Sequence, residues 1–141
     1  MTIPVMLSIK GKQTYIDQDP DEIELTTEGT LEWIDGGWNV RYLESALTGL
    51  DGVETTFRVE DEKIVLTRTG KLHSEMVFQE GVSHDSLYSS EFGALLITVC
   101  ATQMDTNLNE NGGTVDLVYN IEIENSQAGY IEYHLDVQTK H

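Results

Sequence analysis

Gly113-Thr-Val-Asp-Leu-Val-Tyr-Asn-Ile-Glu-Ile-Glu124, Asn125-Ser-Gln-Ala-Gly129 and Tyr130-Ile-Glu-Tyr-His-Leu-Asp-Val-Gln138 form the stretch whose reading decides the fold. Val115, Leu117, Tyr119, Ile121 and Ile123 fall on one parity, against Asp116, Val118, Asn120, Glu122 and Glu124 on the other. After the Asn125–Gly129 connection the pattern resumes. Ile131, Tyr133, Leu135 and Val137 alternate with Glu132, His134, Asp136 and Gln138. Successive strand side chains point to opposite faces, so this alternation describes two antiparallel strands with one dry face and one wet face. The spacing predicts that the five apolar residues of the first strand face inward and pair with the four of the second. A register slip of one residue would expose them all.

Working outward, the same reading covers nearly the whole chain. Ile3 to Ile16 alternates through Val5, Leu7 and Ile9, with Gly11 read as a bulge or bend. Asp17–Asp21 is a turn, and Ile23 to Ile34 alternates again through Leu25, Leu31 and Trp33. Asp35-Gly36-Gly37 is a tight turn of residues that accept positive φ, after which Trp38, Val40 and Tyr42 share a face. Leu47–Gly52 reads as a turn, followed by an apolar face of Val53, Thr55, Phe57 and Val59. Shorter strands are expected at 63–69 and 75–79, with a weak one within 81–90. A long apolar strand runs from Ala94 to Met104, where Cys100 reads as buried packing. Asn109–Gly113 then turns the chain into the final hairpin.

No stretch sustains a 3.6-residue apolar period. Eight to ten short strands with hairpin-length links predict an all-β antiparallel up-and-down barrel, one domain over residues 1–141. Closure also removes the exposed edges that long apolar strands would offer to neighbours.

Composition narrows the partners. Twenty-five acidic against eight basic residues give a net charge of −17. Nucleic acids and anionic lipids require phosphate neutralisation by Lys and Arg, so neither is an expected partner. A single cysteine, no basic apolar leader and no long apolar run lead to the expectation of a cytoplasmic protein away from membranes.

The residues that bear chemistry form no catalytic or metal constellation. Asp17, Asp19, Asp21 and Glu28 have calcium-loop spacing, but Glu22 stands where a sharp turn needs glycine. Ser83-His84-Asp85 contains the triad residue types, yet strand neighbours point to opposite faces and cannot chain hydrogen bonds. The expected catalytic set, metal set and cofactor set are all none. Arg68 stands out among three arginines, because it shares the apolar parity of Ile64 and Leu66. It either snorkels to the rim or pairs with a core-facing acid, or it anchors an anion inside the barrel mouth. Arg68, Trp38 and Tyr42 are the candidate ligand-binding residues.

The order of motifs resembles the YwiB-like family of small bacterial proteins. The resemblance is carried by Tyr42-Leu-Glu-Ser45, Leu47-Thr-Gly-Leu-Asp-Gly52, Val65-Leu-Thr-Arg-Thr-Gly70, Met76-Val-Phe78 with Gly81, Ser90-Glu-Phe-Gly93 and Leu108-Asn-Glu-Asn-Gly-Gly113. It implies a calycin-like (lipocalin-like) β-barrel and a bacterial, intracellular source, and it brings no reaction with it. The leading expectation is non-enzymatic binding of a small molecule in the barrel interior. The second is a structural or interaction protein with a filled barrel, acting through its outer surface or as a homo-oligomer. The third is an enzyme of unrecognised type. An interior volume of about 300 Å³ or more with a few polar groups would favour the first.

Overall fold

The computed structural model describes residues 2–15, 19–44, 51–91 and 93–139. The Asp17 end of the first turn, most of Leu47–Gly52, Phe92 and His141 lie outside the described residues. The described residues form ten strands: β1 Thr2–Tyr15, β2 Asp21–Ile34, β3 Gly37–Leu43, β4 Glu54–Glu60 and β5 Lys63–Thr69. They continue as β6 Leu72–Phe78, β7 Ser83–Ser90, β8 Gly93–Asn109, β9 Gly112–Ile123 and β10 Ser126–Thr139. Each strand pairs with its neighbour in sequence, and β1 pairs with β10 to close the barrel. The closing ladder runs from Val5↔Thr139 to Tyr15↔Gly129 without a break in register. The fold is therefore an all-β, closed, antiparallel up-and-down barrel.

The final hairpin has the expected register, with Tyr119 opposite Ile131, Leu117 opposite Tyr133 and Val115 opposite Leu135. Val115, Leu117, Tyr119 and Ile121 are buried, as are Ile131, Leu135 and Val137. Ile123 and Tyr133 pack against the core from partly buried positions. The connection is tighter than the alternation suggested. Glu124 and Asn125, both at positive φ, make the turn alone, and β10 already begins at Ser126. A bulge between Gln127 and Gly129 takes up the extra residue.

Three local expectations change. Gly11 is neither a bulge nor a bend, because the register of β1 is continuous on both sides of it. It occupies an inward position between Ile9 and Gln13, and an added methyl there would meet no atom within 4 Å. Gly112 and Gly113 do not form the turn between β8 and β9; they open β9. A side chain on either would overlap the carbonyl oxygen of Val137 or Asn107, so glycine is required by close strand approach. Cys100 is half-buried on the outer face, not in the core, because Val99 and Ala101 take the inward parity.

A second bulge, between Ala101 and Gln103, explains how β8 reaches Asn109. It shifts the parity by one residue, so Ile97, Val99 and Ala101 face inward before it and Met104 and Leu108 pack on the core after it. The turn at Asp35-Gly36 has the positive φ expected of it. It is held from β4: the Arg58 guanidinium donates to the Ile34 carbonyl at 2.6 Å and the Asp35 carbonyl at 2.7 Å. Arg58 also bonds Glu60 at 3.0 Å, and that bond holds the Glu60 carboxyl below its ordinary pKa.

Candidate functional site

The inward residues do not fill the barrel evenly. At one end Val5, Leu31, Val40, Ile64, Val115 and Leu135 are fully buried members of the hydrophobic core. At the other end the interior opens into a cavity of about 270 Å³. Its apolar wall includes Ile9, Leu25, Leu66, Ile97, Ile121 and Ile131. Tyr42, Glu44, Arg68, Gln13, Tyr88 and Tyr133 bring polar groups to the same space. Gly11 contributes only backbone, and its missing side chain is part of why the space exists.

Strand parity and register assemble the polar cluster. Tyr42 pairs with Thr55 across β3 and β4, Thr55 with Arg68 across β4 and β5, and Arg68 with Ser74 across β5 and β6. Directly opposite residues on one sheet face hold their Cβ atoms about 5 Å apart, so these four form one row along the inner wall. Glu44 lies two residues beyond Tyr42 on the same parity, and its backbone N–H donates to the Val53 carbonyl at 2.8 Å. Its side chain is only 2% exposed. The Thr55 hydroxyl donates to Glu44 Oε1 at 2.8 Å. Arg68 Nε lies 4.0 Å from the same oxygen, an ion pair without a hydrogen bond.

Two further features complete the geometry. The hydroxyls of Tyr42 and Tyr133 meet across the interior at 3.4 Å, and the Tyr133 ring packs on Phe57 with centroids 5.3 Å apart. Burial pushes the Tyr42 hydroxyl well above the ordinary tyrosine pKa, and the Glu44 charge adds to that shift. Burial likewise raises Tyr133, with Tyr42 contributing. Both tyrosines are therefore neutral donor–acceptor groups at physiological pH. Arg68 Nε and Ser74 Oγ are buried, and neither has a hydrogen-bond partner among the described residues.

Of the residues singled out in the sequence, Arg68 and Tyr42 line this cavity. Trp38 does not. It sits near the other end, edge-on to Trp33 at 5.1 Å, and lines a separate, more open pocket of about 510 Å³ with Val59 and Leu108. Glu44, Tyr133, Thr55 and Ser74 were not recognised from sequence. Extending the Trp38–Val40–Tyr42 parity by one step would have found Glu44; nothing local marks Tyr133 as its neighbour. His84 bonds Gln79 at 2.7 Å while Asp85 accepts from Thr98 at 2.7 Å, so the two have separate partners. Asp21 and Glu28 lie on the straight strand β2, about 23 Å apart at ~3.3 Å per residue, too far to share an ion. Outside the barrel, His134 Nδ1 meets Asp116 Oδ1 at 2.5 Å on the exposed face of β9 and β10. Among the described residues, no group of three His, Cys, Asp or Glu side chains is placed to hold a metal ion.

Comparison with solved structures finds the YwiB protein from Bacillus subtilis, with a TM-score of 0.88. The two are 19% identical over 99% of this chain and 94% of that one, a likeness of fold. No curated protein matches the chain. Residues 7–136 match the family described as a domain of unknown function, DUF1934. That match spans nearly the whole barrel, from β1 to β10, and the chain belongs to the DUF1934 family.

Proposed function

We propose that this protein binds one small molecule, apolar over most of its surface, inside the barrel and acts without catalysing a reaction on it. The observation that carries this reading is the partly open interior space of about 270 Å³ with a largely buried, loosely paired Arg68–Glu44 couple on its wall. The volume is just under the lower edge of small-molecule clefts, which run from about 300 to 1,000 Å³. Apolar walls with a few convergent polar groups are the usual composition of such sites. Replacing a buried ion pair with apolar residues is often neutral or stabilising, so the couple is poorly explained by stability alone. The neutral tyrosines suit positioning of a ligand better than proton transfer at neutral pH.

Native mass spectrometry of the protein isolated from its own cells tests this directly. An adduct of small-molecule mass is expected on the wild type and absent from Gly11→Val, which places a side chain in the cavity. Adduct-free wild-type protein that also shows no thermal shift with any single-ring compound would sink the reading.

A second reading, action through the outer surface, is favoured by one observation. Leu87, on the outward parity of β7 and opposite Leu96 of β8, is 59% exposed. Concentration-independent monomeric behaviour in sedimentation would count against self-association there. We also infer a cytoplasmic setting, supported by the single cysteine, which allows no intrachain disulfide.

A further inference from the structure

The charge inside the cavity bears on what kind of molecule fits it. Among its described lining residues, Arg68 and Glu44 are the charged ones, and they lie against each other. The Arg68 charge is thus already balanced. A ligand anion placed beside the guanidinium would also sit beside the Glu44 carboxylate, in a poorly solvated space where like charges repel strongly. The net charge of −17 adds a long-range penalty to its approach.

Hydrogen bonding still calls for something at this point of the wall. Arg68 Nε–H is a donor without an acceptor, and Ser74 Oγ, across the β5–β6 ladder in direct register, is also without a partner. Ser74 is only 1% exposed and lies just behind the cavity lining, opposite the lining residue Arg68 and next on its face to the lining residue Met76. Leaving two such polar groups unsatisfied in a core is unfavourable, and a single acceptor oxygen between them would satisfy both. Beyond that point the walls are mostly aliphatic and aromatic, with the Gln13 amide and the tyrosine hydroxyls as further polar groups.

Resting on the interior-binding reading, we propose that the ligand is uncharged and presents a carbonyl-type oxygen to Arg68 Nε and Ser74 Oγ, with its apolar body along the Ile and Leu wall. The protein is built to take a neutral amide, ester or ketone of about one ring's bulk in preference to the matching carboxylate. The space is adequate: an apolar cavity of about 150 Å³ holds benzene, and this one is about 270 Å³.

Benzamide, benzoate and toluene are matched probes for the test, with binding followed by ligand-observed NMR on the full chain. Benzamide is expected to bind wild type at least about tenfold more tightly than benzoate or toluene, the effect of one hydrogen bond to a charged donor. Arg68→Lys keeps the charge opposite Glu44 but removes the Nε–H, and Ser74→Ala removes the hydroxyl. Arg68→Lys should cut the benzamide preference to within about threefold of toluene, and Ser74→Ala should lower it by a smaller factor. Gly11→Val should abolish binding of all three. Benzoate binding as tightly as benzamide, or more tightly, would overturn the neutral-ligand proposal and leave interior binding standing. Toluene binding with no gain for benzamide would also overturn it while leaving interior binding intact. No binding of any probe to folded wild type would overturn both.

Discussion

The two ends of this barrel are built from the same strands and differ in what those strands turn inward. At the filled end the inward positions are Val5, Leu31, Val40, Ile64, Val115 and Leu135, all fully buried. At the cavity end the same parity carries Gly11, Gln13, Tyr42, Glu44, Thr55, Arg68 and Ser74. The filled end shows that aliphatic packing is sufficient to close this sheet. The polar groups at the other end are held in the interior against their desolvation cost. On the interior-binding proposal, the ligand would sit at the polar end.

The largest expected effect breaks the filled end. Leu135→Ala should cost about 3–5 kcal/mol, because close packing leaves no way to collapse the void. Ile121→Ala, which only enlarges an existing space, should cost about 2 kcal/mol. Urea midpoints check both, and equal losses would erase the distinction between the two ends.

Next is the buried couple. Arg68→Met strips Glu44 of its cation and should cost about 2 kcal/mol, less than a tightly bonded pair because the 4.0 Å contact is loose and Arg68 is 20% exposed. The double variant Arg68→Met with Glu44→Gln should recover most of that loss. Thermal denaturation of the four-member cycle measures it, and additive losses would mean that the two charges do not couple.

The tyrosines at the cavity end respond to pH. Tyr42 and Tyr133 hold their protons more tightly folded than unfolded, since burial raises both pKa values. Their contribution is complete below the unfolded value of about 10 and is lost as pH rises above it. Stability should fall above about pH 10 by roughly 1.4 kcal/mol per pH unit for each tyrosine, and Tyr42→Phe should flatten the slope. Chemical denaturation between pH 9 and 11 reads it out; an unchanged slope in Tyr42→Phe would remove that residue from the account.

The smallest effect has the opposite sign. Gly11→Val should raise stability by about 0.5–1 kcal/mol, since valine suits a strand and the site has room. A rise in Tm together with lost ligand binding would tie the open space to function. A fall in Tm would mean that the cavity end is as tightly packed as the other.

Most of the barrel was legible along the chain because alternation is a local property. Val115 to Ile123 and Ile131 to Val137 announce their inward parity within a few residues, and a buried face admits one register. Arg68 was legible for the same reason, through Ile64 and Leu66. The errors came where one residue changes the count or a turn is shorter than its polar stretch. The bulge after Ala101 re-aims the end of β8, and Glu124-Asn125 turns without the residues that follow. Gly11 looked like an interruption because glycine weakens a strand, yet the ladders on both sides hold it straight.

By itself the sequence determined the strands, their faces, the acidic surface and the absence of a helical period, all set by neighbours in the chain and by composition. Only closure of the sheet decided which inward polar residues meet. Tyr42 and Tyr133 are 91 positions apart and touch because β3 and β10 face each other across the interior. Glu44 finds Arg68 because two successive ladders put Tyr42, Thr55 and Arg68 in one row. The volume left at that end is likewise a sum over strands, and no single strand's pattern contains it.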